Sequence, residues 1–96
     1  MWTQDFTRVL KDSGLRRVEM ATLYGVSRQT IHYWVTVAPP REGSYLERMA
    51  RVITAALLHA ITKKILPFGA VSEEVRARRI ASMAKTLQNL KHAPAK

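Results

Sequence analysis

The chain has 96 residues, 47% of them hydrophobic, and sixteen Lys and Arg against seven Asp and Glu leave a net charge of +9. That length suits one domain with a real core, and that apolar content argues against intrinsic disorder. The lack of cysteine rules out disulfides and thiolate metal sites. The positive excess favours a polyanionic partner (nucleic acid, an anionic membrane surface or an acidic protein), the plain alternative being solubility alone.

The opening stretch, MWTQDFTRVLKDSG, has no apolar core of signal-peptide type, and no apolar run approaches a membrane span. A cytoplasmic location is therefore expected. Thr3 is placed to cap a first helix running to about Lys11, with Asp5 favourable in its opening turn and Ser13-Gly14 ending it. Phe6, Val9 and Leu10 supply its buried stripe at helical spacing.

A second helix is read in RRVEMATLYG, with Val18, Met20, Ala21 and Leu23 or Tyr24 on its inner face. Ala21 is small enough to let a crossing helix approach closely. Gly25 falls where this helix must stop and the backbone needs positive φ. Val26 plugs the turn into the core, and Ser27 caps the next helix, SRQTIHYWVT. At about 100° per residue that helix separates into two arcs. Ile31, Trp34, Val35 and Val37 form the core side; Arg28, Gln29, His32, Tyr33 and Thr36 form the outer side, a row of donors, acceptors and one cation.

APPREGS, residues 38–44, carries two prolines and a glycine and must be a connection. Ser44 then caps a long helix to about Leu66, whose stripe includes Leu46, Met49, Ala50, Ile53, Ala56, Leu57, Ala60 and Ile61. Val52, Leu58 and Leu66 lie off that stripe and suggest a second, weaker contact face. PFGAV breaks the chain at Pro67 and Gly69. Ser72, followed by Glu73 and Glu74, opens a last helix with a stripe of Ile80, Met83, Ala84, Leu87 and Leu90. Residues 91–96 read as a loose tail. No segment alternates in the manner of a strand. The fold class is all-α: one domain of five helices, with a three-helix part in 1–43 and two longer helices in 44–90.

A helix, a tight turn and a second helix with a polar outer face make the helix-turn-helix pattern. Ala21, Gly25, Val26, Ser27, Ile31 and Trp34 stand at the spacing that carries a resemblance to the Cro-type, lambda-repressor-like DNA-binding proteins of phages. The likeness covers roughly residues 3–60, including the Pro-containing connection. It departs at Arg17, where many members have a glutamine that binds phosphate, and in the length of the last two helices.

The resemblance implies that Arg28 and Gln29 are the first base readers, arginine suiting the guanine O6/N7 pair and glutamine adenine N6/N7. His32, Tyr33 and Thr36 follow, touching bases further along the groove or the sugar–phosphate backbone. Ser27, Arg16, Arg17 and Arg41 are the phosphate candidates. For His32 and Tyr33 a solvated surface role stays open, and Trp34 is expected in the core.

Proteins of this class read double-stranded DNA by pairing across a two-fold axis. A homodimer is therefore expected, with Leu46, Met49, Ile53, Leu57 and Ile61 serving core and interface; a monomer with the last helix folded back is the rival. Residues 1–43 hold six basic and four acidic residues and residues 44–96 ten and three, counted along the sequence. Arg48, Arg51, Lys63, Lys64, Arg76, Arg78, Arg79 and Lys85 could thus flank the groove and meet phosphates, or bind RNA or an acidic host protein. A packaging or replication subunit is a further alternative. His59, beside the apolar stripe, lacks a second ligand at helical spacing and is read as partly buried or an interface residue. No phosphate-binding glycine loop, HExxH motif, nucleophile elbow or carboxylate pair appears, so neither enzyme activity nor a metal or other cofactor is expected.

Overall fold

A computed structural model describes residues 2–91. Their regular structure consists of five helices: α1 (Trp2–Asp12), α2 (Arg17–Tyr24), α3 (Arg28–Thr36), α4 (Tyr45–Thr62) and α5 (Glu73–Lys91). The fold is all-α, with no strand among the described residues. Residues 92–96, most of the expected tail, lie outside them, and Lys91 closes α5. No described helix is long and apolar enough to cross a membrane.

Local signals explain most boundaries. The Gly25 backbone at φ 70° ends α2 in the left-handed region, where a residue with a Cβ is strained. Ser27 then begins α3, its hydroxyl oxygen accepting from the Thr30 N–H at 3.1 Å. Ser44 caps α4 in the same way through the Glu47 N–H, and Ser72 caps α5 through the Val75 N–H. Thr3 is not a cap: α1 already includes Trp2, and the Thr3 carbonyl accepts a side-chain bond from the Thr7 hydroxyl one turn on. α4 stops at Thr62, short of the expected Leu66, because the chain turns at Lys64 (φ 61°).

The core is built on aromatic edges. Phe6 of α1, Tyr24 of α2 and Trp34 of α3 meet pairwise edge-to-face, with centroids 5.7, 6.2 and 6.0 Å apart. Each such pair adds about 0.5–1.5 kcal/mol beyond the area it buries. Tyr24 also reaches α4, its hydroxyl 2.6 Å from that of Thr54. Burial pushes the Tyr24 phenol well above its ordinary pKa, so it stays neutral and the two hydroxyls satisfy each other. Met20, Leu23, Ile31, Ile53 and Leu57 are fully buried around this centre.

α4 packs against α1 and α5, and α2 packs against α3, α4 and α5. The corner between α1 and α2 touches the connection between α4 and α5: Gly14, at φ 68°, lies so near Pro67 that a Cβ would come within 2.8 Å of the proline Cβ.

Several apolar positions part from their expected places. Met49, Ile53 and Leu57 are core, but Leu46, in the first turn of α4, is exposed and Ile61, in its last, is half-buried. Val18 is exposed, lining an open hollow between α2 and α5 with Thr22, Ala77 and Ala81. Val37, at the end of α3, is 66% exposed. Leu66 is buried, and Leu90 is 44% exposed. His59 is exposed rather than partly buried.

Candidate nucleic-acid interface

The outer arc of α3 is where the spacing put it. Arg28, Gln29, His32, Tyr33 and Thr36 are all exposed, and Ile31 and Trp34 are buried on the opposite side. The two-faced pattern is a consequence of ring and aliphatic groups at 31 and 34 anchoring one side, which turns 28, 29, 32 and 36 to solvent.

Arg28, Gln29 and His32 line one hollow, and the fourth residue lining it is Arg17 from the first turn of α2. Two elements therefore converge here because Gly25 and Val26 fold α3 back across α2. The Val26 N–H donates to the Ala21 carbonyl at 3.1 Å and the Gly25 N–H to that of Thr22 at 3.3 Å, closing the turn. No salt bridge involves Arg17 or Arg28 among the described residues. Two guanidinium groups bordering one hollow without a carboxylate between them repel, and an anion placed there relieves that repulsion.

The remaining nominated residues divide. Ser27 spends its hydroxyl on α3, 2.9 Å from the Thr30 hydroxyl as well as capping it. Thr36 donates its hydroxyl to the His32 carbonyl at 2.8 Å, which leaves it an acceptor toward any ligand. Tyr33 and Arg41 are exposed but do not line the hollow.

Arg16 is paired within the chain, at an exposed site. Its guanidinium forks onto both carboxylate oxygens of Glu73 at 2.7 and 2.6 Å, tying α2 to the start of α5. Those hydrogen bonds hold Glu73 below the usual carboxylate range and raise Arg16 further. Arg76 is removed from the list of free cations too. Its Nη2 donates to Glu19 at 2.8 Å and to the Gly14 carbonyl at 2.7 Å. Glu19 also accepts the Arg16 N–H at 2.7 Å, the bond that starts α2. The Arg76 and Glu19 side chains are only 14% and 10% exposed. Arg76's hydrogen bonds, aided by the Arg16 N–H, keep the Glu19 carboxyl below its ordinary pKa despite its burial. Arg51, another of the flanking cations, lies 3.6 Å from the Glu47 carboxylate.

Glu19 and Glu47 are the buried acids that composition alone did not mark. Both stand three residues after the residue that caps a helix, Arg16 and Ser44, at capping-box spacing. Glu47 accepts from the Gly43 N–H at 2.9 Å, closing the corner before α4. Among the described residues no cluster of three or more His, Asp or Glu could hold a metal ion.

Comparison of the chain with family models, curated proteins and solved structures finds no match.

Proposed function

We propose that this protein binds double-stranded DNA in a sequence-specific way, as a lambda-repressor-like helix-turn-helix module whose α3 enters the major groove. The observation that carries this reading is the shared hollow of Arg17, Arg28, Gln29 and His32. It combines a cation from the start of α2, suited to phosphate, with a bidentate arginine and a glutamine suited to base edges. Arg28 and Gln29 are the readers, His32 and Tyr33 extend the contact, and Arg17 and Arg41 meet the backbone. The protein acts as a homodimer on a two-fold site, and the apolar side chains left exposed near α3 in the sequence, Val37, Tyr45 and Leu46, are the ones open to a second copy. Occupancy of a promoter suffices to repress transcription, in the cytoplasm and without catalysis or cofactor.

The test is selection of bound duplexes from a random pool, with wild type beside Arg28→Ala plus Gln29→Ala. Wild type should enrich a palindromic site and the double variant should lose preference within each half-site, at about 1–3 kcal/mol for each bidentate contact removed. If no sequence is enriched, or both proteins enrich the same one, α3 is not the reader.

A further inference from the structure

Away from the residues of the α3 hollow, two hollows run end to end along α5. Ile65, Phe68, Arg79, Ser82 and Met83 line one. The second has Ser82 and Met83 again, then Thr86, Leu87 and Leu90, with Ala56 and Leu57 of α4. Because they share Ser82 and Met83 they form one trough. It spans α5 from Arg79 to Leu90, roughly 16 Å at the helical rise. No residue of it belongs to the hollow beneath α3.

The trough is apolar where a monomer's surface should be polar. Ile65 is 57% exposed and Leu90 44%, at opposite ends, with Phe68 and Met83 half-buried between them. Its surroundings are cationic. The Arg79 guanidinium lies over the Phe68 ring at 5.7 Å, which holds its planar fork at the margin. Lys63 and Lys64 are exposed in the connection next to Ile65, and Arg78 and Lys85 are exposed further round α5. None of these five cations takes part in a salt bridge among the described residues.

We infer that this trough is a docking site for an acidic amphipathic helix of another protein. An apolar stripe of about three helical turns fills the floor, and carboxylates on its flanks meet Arg79 and the neighbouring cations, the helix-in-groove mode with charge steering. A phosphodiester backbone has no apolar group for Ile65 or Leu90, and beyond Phe68 the trough has no aromatic ring for a base to stack on. A second copy of this chain would bring the same positive margin against itself.

The experiment uses the full chain and a fluorescein-labelled peptide of about 14 residues, with leucines at i, i+4, i+7 and i+11 and glutamates on the other face. Binding is read by anisotropy, and the contacted residues by amide chemical shifts. Ile65→Glu and Leu90→Glu alter exposed side chains, so their folding is checked by circular dichroism. Wild type should bind with shifts in 63–68 and 79–90, each Glu variant should bind at least about tenfold more weakly, and Arg28→Ala plus Gln29→Ala should bind as wild type does. That last arm separates the trough from the DNA reading, which can fail independently. The inference is overturned if wild type does not bind, or if a peptide of the same composition with its leucines scrambled binds as well, since charge alone then explains it. It is overturned too if an oligothymidylate displaces the peptide and is itself weakened by Ile65→Glu, or if sedimentation finds a wild-type dimer that Ile65→Glu dissociates.

Discussion

Arg16 and Arg17 are neighbours in the sequence and opposite in circumstance. Arg17 borders a hollow with Arg28 and has no acid partner among the described residues. Arg16 is forked onto Glu73, and one residue pair further in, Glu19 is held by Arg76. α2 thus has one side turned to α3 that keeps its charge for something outside the molecule, and one turned to α5 that spends its charge internally. The sign of a residue says little about its use; what decides is whether the fold brings an opposite charge to it. Pairing leaves the positive excess of the C-terminal half as it was, since Arg51 faces Glu47 of that half and the Glu19 that Arg76 gains is offset by the Glu73 given to Arg16, but it decides which of the cations have an acid beside them.

The largest way to break this arrangement is Glu19→Ala. It strips Arg76 of its carboxylate in a nearly buried setting and leaves the Arg16 N–H without its acceptor. A buried pair broken on one side costs more than the pair ever contributed, about 2–3 kcal/mol here given the residual exposure. Urea unfolding should show that loss at unchanged m-value. An unchanged midpoint would mean the α2–α5 contact is held by packing alone.

The same carboxylate gives a smaller, pH-dependent effect. Its folded pKa lies below the ordinary 4.5, so its contribution is fully present above that value and disappears as pH falls through the folded pKa. Between about pH 5 and pH 3 wild-type stability should therefore fall more steeply than that of Glu19→Gln, which has no proton to take up. Denaturant midpoints measured across that window check it, and parallel curves for the two proteins would assign the acid sensitivity to other groups.

The parts of the fold legible in the sequence are those encoded within one or two helical turns. Gly25, Ser27 and Ser44 act on backbone groups at most a few residues away, and Ile31 with Trp34 fixes which side of α3 is inward. That is why the outer arc from Arg28 to Thr36 was readable at single-residue level. Val18, Val37 and Leu90 have equally apolar side chains, yet their exposure depends on which helix covers them, and nothing local says so. The Glu19–Arg76 contact joins residues 57 apart, and Arg16 finds Glu73 at the same separation. Local sequence marks each as charged and says nothing of the pairing. Of the candidate site, the polar outer face of α3 is legible in the sequence and its boundary is not: Arg17 and Arg16 look alike until α5 is placed.

That ambiguity yields the finest prediction. If Arg17 meets a phosphate, Arg17→Ala lowers affinity for all duplexes alike and reduces the slope of log affinity against log salt by about one. Arg16→Ala should leave that slope unchanged, because its guanidinium is already neutralised by Glu73 and releases no counterion from DNA. Removing it frees the Glu73 carboxylate, but that pair is exposed and screened, so little change in thermal midpoint is expected. Anisotropy titrations of one duplex over a range of salt concentrations separate the two arginines. Equal slopes for the two variants would mean that Arg16 leaves Glu73 to reach DNA, and that the two sides of α2 are less distinct than their ion pairs imply.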